Sequence, residues 1–225
     1  MVLYAATSNP GKLRDFAWAA EGHLLCGDQV EIEPLPGLKR IAAPEEDGET
    51  FEANARLKAE FYSRSSPGLW VLADDSGLEV DAVGGRPGVR SARFAKDLEM
   101  TSSGAQAGLA ISGDDSDARN NAALLRLMEN VAVGDRTARY RCVLALALNG
   151  EVMMRAEGAL EGQILFAGRG GGGFGYDPLF LIPEAGMTMA EIDPATRLQF
   201  SHRGRALRVL LDRIALAPVI ARDVR

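Results

Sequence analysis

The sequence predicts an α/β fold with a mixed β-sheet in a single domain over residues 1–225. Three observations carry this. Apolar, strand-like runs alternate with segments of helical period through the first half of the chain, as in sheets built from parallel crossovers. A hairpin signal comes late, two strand-like runs around Asn149-Gly150, and adds antiparallel pairing to that sheet. No internal repeat and no linker divides the 225 residues, a length that suits one large domain or two closely joined lobes.

Taken in order, residues 2–6 read as a buried strand, broken by Thr7-Ser8-Asn9-Pro10-Gly11, and residues 13–20 as a helix. Residues 32–35 form a second short strand before a Pro-rich connection. Asp47 is placed to cap a helix over about 49–65. Residues 70–73 are a short apolar strand, ended by Asp74-Asp75-Ser76-Gly77; residues 84–88 are a Gly/Pro turn. The Ser-, Gly- and Ala-rich stretch 100–115 reads as a mobile surface loop. A helix over 117–129 turns Ala122, Leu124, Leu125 and Met128 inward. Strands over 139–148 and 151–159 flank Asn149-Gly150, and a Gly-rich loop covers 168–175. The last helix starts near Ser201 and runs to about Ala215, with Leu207, Leu210, Leu211 and Ile214 apolar.

Bulk properties narrow the partners. A net charge of −6 argues against long nucleic acid, which needs a basic face. A small anion remains compatible, since a few local cations or a metal can override the global sign. Two cysteines, Cys26 and Cys142, give no disulfide framework, which suits a reducing compartment and predicts a cytoplasmic protein. Cys142 lies in an apolar run and reads as a buried filler. With His23 and His202 the only histidines, a three-histidine zinc site is excluded. The chain opens on a strand-like run rather than on a signal peptide. No apolar stretch is long enough to cross a bilayer, so no membrane partner is expected.

Several residues could carry chemistry. Asp74 and Asp75 follow an apolar strand, where two carboxylates can hold a hard cation or supply a general base; Asp-Asp-Ser-Gly is equally a good turn. Phe51, Asn54, Ala55, Lys58 and Phe61 share one helix face. Lys58 there either reaches an anion or extends its ammonium to water. Glu45, Glu46 and Asp47 at that helix start are either dipole-favoured caps or a metal carboxylate. Thr7-Ser8-Asn9-Pro10-Gly11-Lys12 joins strand to helix, a place where backbone N–H groups and Lys12 suit phosphate. It is not a P-loop, because Leu13 follows Lys12. Gly170 to Gly175 contains G-x-G-x-x-G, yet no helix follows; a loop that lets a flat base approach Phe174 or Tyr176 fits better. Ser201-His202-Arg203 opens the last helix, as a cap or as a group that reads base oxygens or phosphate.

Five segments in this order and spacing resemble the inosine triphosphate pyrophosphatase family, the non-standard purine nucleoside triphosphate pyrophosphatases. They are Thr7-Ser8-Asn9-Pro10-Gly11-Lys12; Glu45 to Ala55 running on to Lys58-Ala59; Ala73-Asp74-Asp75-Ser76-Gly77-Leu78; Gly172 to Pro178; and Ser201-His202-Arg203. The resemblance spans essentially the whole chain. It implies an elongated two-lobed fold with a long mixed β-sheet flanked by helices and a cleft between the lobes, a homodimer, and Mg²⁺. It implies hydrolysis of ITP, dITP and XTP to monophosphate and pyrophosphate, which keeps deaminated purines out of DNA and RNA. By position, Thr7, Ser8, Asn9, Pro10, Gly11 and Lys12 would bind triphosphate, and Asp75 would be proton acceptor and metal carboxylate. Glu45 or Glu46 would be the other metal carboxylate, and Lys12 and Lys58 would offset phosphate charge. Ser76 would touch substrate. Phe174, Gly175, Tyr176 and Asp177, with His202 and Arg203, would recognise base and sugar.

Three departures stand out. Ser8 replaces the usual Gly, which would strain a positive φ there. Arg197 stands where the family has a substrate-contacting Lys, keeping the charge but not the geometry. The loop over 98–115 is long. Pyrophosphatases of pyrimidine or modified nucleotides, a nucleotide sensor without turnover, and a purely structural domain are the competing readings.

Overall fold

The structure, a computed structural model, describes residues 1–25, 27–101 and 116–217. The elements in chain order are β1 Val2–Ala5, α1 Pro10–Ala20, β2 Leu24–Leu25, β3 Asp28–Gln29, β4 Glu31–Pro34, α2 Phe51–Arg64 and β5 Val71–Val80. Then come α3 Phe94–Thr101, α4 Ser116–Leu127, β6 Thr137–Leu148, β7 Glu151–Ile164, β8 Phe180–Ile182, β9 Met187–Thr188, the short α5 Pro194–Arg197, and α6 His202–Ala215. One seven-stranded sheet runs β4-β1-β5-β6-β7-β8-β9. β1 pairs in parallel with β4 and β5, whereas β8 pairs antiparallel with β7 and β9, so the sheet is mixed as expected. The long-loop reading is corrected at its start, where residues 98–101 complete the helix α3; residues 102–115 lie outside the described residues, as does Cys26.

The chain divides into two compact units. The first comprises Met1–Ser76, Arg141–Leu160 and the chain from Leu198; the second comprises Gly77–Tyr140 and Glu161–Arg197. In the first unit, period-two alternation sorts the strands. Leu3, Ala5, Leu72, Cys142, Leu144, Leu146 and Ala156 pack with Phe16, Ala19, Leu207, Leu210, Leu211 and Ile214 of α1 and α6. Tyr4 and Val71 face the other way, onto Tyr62 of α2. Cys142 is a buried free thiol. The β6–β7 hairpin turns on Asn149 at φ 53 and Gly150 at φ 88, the positive angles that a two-residue turn of this kind needs. In the second unit Leu78, Val80, Phe94, Leu124, Met128, Ile164, Phe180 and Ile182 are buried.

Two element expectations are corrected. Thr50, not Asp47, caps α2: its side chain accepts the Ala53 N–H at 3.1 Å. The chain around Gly48 is pinned by Asn54, which delays entry into the helix. And Asp74-Asp75-Ser76-Gly77 is no turn but the middle of the ten-residue β5. The strand continues because each aspartate finds a cation beside the sheet, so neither must reach water.

Candidate active site

Adjacent residues on a strand point to opposite faces, so Asp74 and Asp75 meet different surroundings. Asp74 follows Leu72 toward α1 and α6. Its Oδ2 accepts from Lys12 Nζ at 2.8 Å and from Ser76 Oγ at 2.9 Å. Burial by itself favours the neutral acid. Lys12, with Lys58 and Arg203, outweighs burial and holds this carboxyl well below the usual carboxylate range. Asp74 is thus held as an anion at neutral pH, where it aims Lys12 and Ser76.

Asp75 faces α2. Asn54 Nδ2 donates to its Oδ2 at 3.1 Å and Lys58 Nζ to its Oδ1 at 3.1 Å. Here burial is the largest influence and pushes the carboxyl above its ordinary value, against the pull of Lys58 and Asn54. Burial also works against the charge on Lys58, but Asp75, Asp74 and Glu46 more than offset it and raise its pKa. Lys58 reaches carboxylates, so the water-seeking alternative does not hold. Two neighbouring aspartates therefore meet different surroundings, one held as an anion by cations and the other shifted by burial toward its neutral form.

Lys58 Nζ also donates to Glu46 Oε2 at 2.9 Å. Glu45 is exposed and lines an open groove on the outer side of α2 with Asp47 and Arg56. Of the two glutamates, then, Glu46 is the one brought to Asp75. Asn54 fixes this loop by accepting the Gly48 N–H at 2.9 Å and donating to its carbonyl at 3.3 Å. A Cβ on Gly48 would sit 2.5 Å from Asn54 Oδ1, which is why glycine is required there. No group of three or more His, Cys, Asp or Glu is placed to hold a metal among the described residues. Mg²⁺ commonly uses one or two carboxylates and takes its other ligands from water and phosphate. Glu46 and Asp75, converging on one ammonium, fit that mode and do not form a closed protein cage.

The turn before α1 departs from its sequence reading. Asn9 Oδ1 caps the helix and accepts from the N–H groups of Gly11 at 2.8 Å and Lys12 at 3.2 Å. Pro10 has no N–H, and the Asn9 N–H goes to Thr7 Oγ1 at 3.2 Å. The N–H groups of Asn9, Gly11 and Lys12 are thus engaged within the turn itself, and Lys12 brings an ammonium to the turn. Ser8 is not strained: among the described residues, Asn149 is the non-glycine with positive φ.

At the start of α6, Ser201 Oγ accepts the Gly204 N–H at 3.0 Å. His202 and Arg203 are buried on the first turn, and Arg203 donates to Asp15 Oδ2 at 3.4 Å. α6 rests against β7 at Gly158, where a Cβ would lie 2.4 Å from the His202 carbonyl and the Ala206 nitrogen.

The Gly-rich loop belongs to the second unit. Asp177 is buried and accepts from Tyr140 Oη at 2.9 Å, from the Phe174 N–H at 3.0 Å and from Arg197. It holds the loop in shape rather than presenting itself. Tyr176 is buried too, its hydroxyl donating to the Ser91 carbonyl at 2.9 Å, which corrects the expectation that its ring offers itself to a base. Phe174 is 41% exposed, with the Arg197 guanidinium 5.9 Å from its ring centroid. Arg in place of Lys therefore lets one side chain pair with Asp177 and lie by Phe174.

Sequence reasoning missed the anchoring role of Asp74, which no local signal distinguishes from Asp75. It also missed Asp117 and Asn121 of α4, which bind Gly175. Their i, i+4 spacing, in line with buried Leu124 and Met128, was the available signal.

Known proteins agree with this architecture. The model of the Ham1 family matches residues 3–213. A dITP/XTP pyrophosphatase of Acidobacterium capsulatum is 56% identical, with 95% of this chain and 98% of that protein covered. One of Geobacillus kaustophilus is 45% identical over 91% of this chain and 90% of its own length. The solved structure of the Staphylococcus aureus Ham1 protein superposes with a TM-score of 0.75 at 31% identity, covering 96% of this chain and 100% of that one. A family model that spans the five motif segments, and relatives alike over nearly their full length, lead to one conclusion: the chain belongs to the Ham1 family.

Proposed function

We propose that this protein hydrolyses non-standard purine nucleoside triphosphates, dITP, XTP and ITP, to the monophosphate and pyrophosphate. The observation that carries the reading is Asp75: a buried carboxyl lifted above its ordinary value, beside Lys58, Asn54 and the approach of Glu46. The names of the relatives, dITP/XTP pyrophosphatases, supply the substrate class. Mg²⁺ held by Glu46 and Asp75 would add positive charge at the phosphate oxygens and orient the attacking water. Asp75 takes the proton of the water that attacks the α-phosphorus, and pyrophosphate leaves. Lys12, aimed by Asp74, and Lys58 offset the charge that builds on the phosphates. Ser76, held by Asp74, contacts substrate, as does the Thr7 to Gly11 turn.

Selectivity follows from donors facing a 6-oxo group, to which a 6-amino group would present donor to donor and leave buried polar groups unpaired. Phe174 would offer the base a flat face, and by the family resemblance Arg197, His202 and Arg203 would supply donors. The reading includes one catalytic domain over 1–225, since no linker divides the sequence, a cytoplasmic setting, from the cysteine usage, and a homodimer, from the family resemblance. No helix among the described residues is long and apolar enough to cross a membrane.

The test is pyrophosphate release from dITP, XTP, ITP, dATP and GTP, by the natural protein and by Asp75→Asn. Release is expected from the first three, and the substitution is expected to lower kcat by about 10²–10⁴-fold, the usual contribution of a proton acceptor. Asp75→Asn with natural kcat, or no preference for the first three, would sink the proposal.

A further inference from the structure

The Phe174 loop is held from a helix that no motif of the family resemblance includes. Gly175 adopts φ 64, and both polar groups of that residue are taken by α4. Its N–H donates to Asp117 Oδ2 at 2.6 Å, and its carbonyl accepts from Asn121 Nδ2 at 3.0 Å. Asp117 and Asn121 are one helical turn apart, so their side chains leave α4 on the same face and straddle a single residue of the loop. On the same stripe Leu124 and Met128 are buried core residues, and two polar side chains interrupt it just where the loop arrives.

α4 is itself firmly seated. Asn120 accepts the Ala95 N–H at 2.9 Å and donates to the Ala92 carbonyl at 3.2 Å. The end of the helix is gripped by Arg136, which donates to the Met128 carbonyl at 2.8 Å. Asn121 Oδ1 is buried with no hydrogen-bond partner among the described residues, while its Nδ2 donates to Gly175.

We propose that Asp117 and Asn121 form a clamp on Gly175 that sets the position of the Phe174 ring and so governs base recognition. They are positioning residues, and the assignment rests on the reading of Phe174 as the base-facing side chain. Asp177, which accepts the Phe174 N–H, fixes one side of the ring residue; the clamp fixes the other. Loosening the clamp lets the ring wander while the phosphate-facing groups, which lie in the other unit, keep their geometry.

The experiment compares Asn121→Leu, Asp117→Leu and Asp117→Asn with the natural protein. Three quantities are read: KM and kcat for dITP, the inhibition constant of inorganic triphosphate, and amide hydrogen exchange across residues 172–177. Asn121→Leu and Asp117→Leu are expected to raise KM about fivefold or more with kcat within about twofold, as for loss of one hydrogen bond used in positioning. Inorganic triphosphate, which has no base, is expected to inhibit as before, and exchange across 172–177 to quicken while 120–127 stays protected. Asp117→Asn keeps an acceptor oxygen and is expected to recover most of what Asp117→Leu loses. Unchanged KM and unchanged exchange in both leucine variants would overturn the proposal. So would weaker inhibition by triphosphate in step with a fall in kcat, the pattern of a helix that only supports the fold. Exchange is read without turnover, so a protein inactive on dITP would overturn the functional reading while the clamp is still judged by the loop's exchange.

Discussion

Asp74 is buried among cations, and that fixes how its charge enters stability. Lys12 Nζ lies 2.8 Å away, and Lys58 and Arg203 add to the field against the opposing effect of burial. The folded protein therefore binds a proton at this carboxyl less readily than the unfolded chain, whose value is the ordinary 3.8. A group depressed in this way contributes fully above its unfolded pKa, and its contribution falls as pH drops below that value toward the folded one. Asp74→Asn is expected to lower unfolding free energy by about 3 kcal/mol at neutral pH, since it leaves Lys12 without its partner in a buried setting. The difference between the two proteins should hold steady from about pH 7 to 5 and narrow by about 1 kcal/mol near pH 3. Chemical denaturation at each pH measures it; a gap that stays constant down to pH ~3 would refute the assignment. Asp75 stands one residue on and behaves differently because the other face of the strand gives it one cation, Lys58, with Asn54 and the opposing charge of Glu46, too little to offset its burial. Nothing in Asp-Asp-Ser-Gly announces this division of labour.

At the scale of elements, close approach of backbones decides where side chains land. α6 brings His202 and Arg203 to the first unit's site by lying on β7 at Gly158, with no room for a methyl group. Gly158→Ala forces the helix away from the strand and is expected to cost about 1–3 kcal/mol, the usual effect of overpacking. It should also lower kcat/KM for dITP, because the first turn of α6 moves with the helix. Gly134→Ala, whose new Cβ meets nothing within 4 Å, is the control and should leave thermal stability and kinetics as they were. Equal behaviour of the two variants would show that the Gly158 contact yields without consequence. The hairpin at Asn149-Gly150 was plain from sequence because a two-residue turn with two positive φ angles has few sequence solutions. The α2 cap lies at Thr50 rather than Asp47, although both residues belong to favoured capping types, because the choice rests on Asn54 holding Gly48 from the next turn.

Over the whole molecule, a chain of net charge −6 is asked to handle triphosphates. Lys12 and Lys58 are paired with Asp74, Asp75 and Glu46, so the protein presents little uncompensated positive charge at these carboxylates. On the proposed reading, a divalent cation arriving with the nucleotide would resolve this, since it would add charge only when the phosphates are present. Chelation is therefore expected to abolish turnover and added Mg²⁺ to restore it. Calorimetric titration of Mg²⁺ into the protein alone should give weak binding that tightens when a non-hydrolysable purine triphosphate analogue is present. A tight Mg²⁺ site on the free protein would contradict a pair of carboxylates completed by substrate.

The sequence by itself determined the α/β class, the late hairpin, the helix carrying Asn54 and Lys58, and the family, because these depend on local period, turn chemistry and the order of short motifs along the chain. The tertiary structure alone decided that Asp74-Asp75 lies inside a strand, that Glu46 rather than Glu45 approaches Asp75, that Tyr176 is buried while Phe174 is presented, and that α4 holds Gly175. Each of these turns on a partner distant in sequence: Lys12 is 62 residues from Asp74, and Asp117 is 58 from Gly175. Burial and charge at a side chain are set by what packs against it, and local sequence carries no record of that.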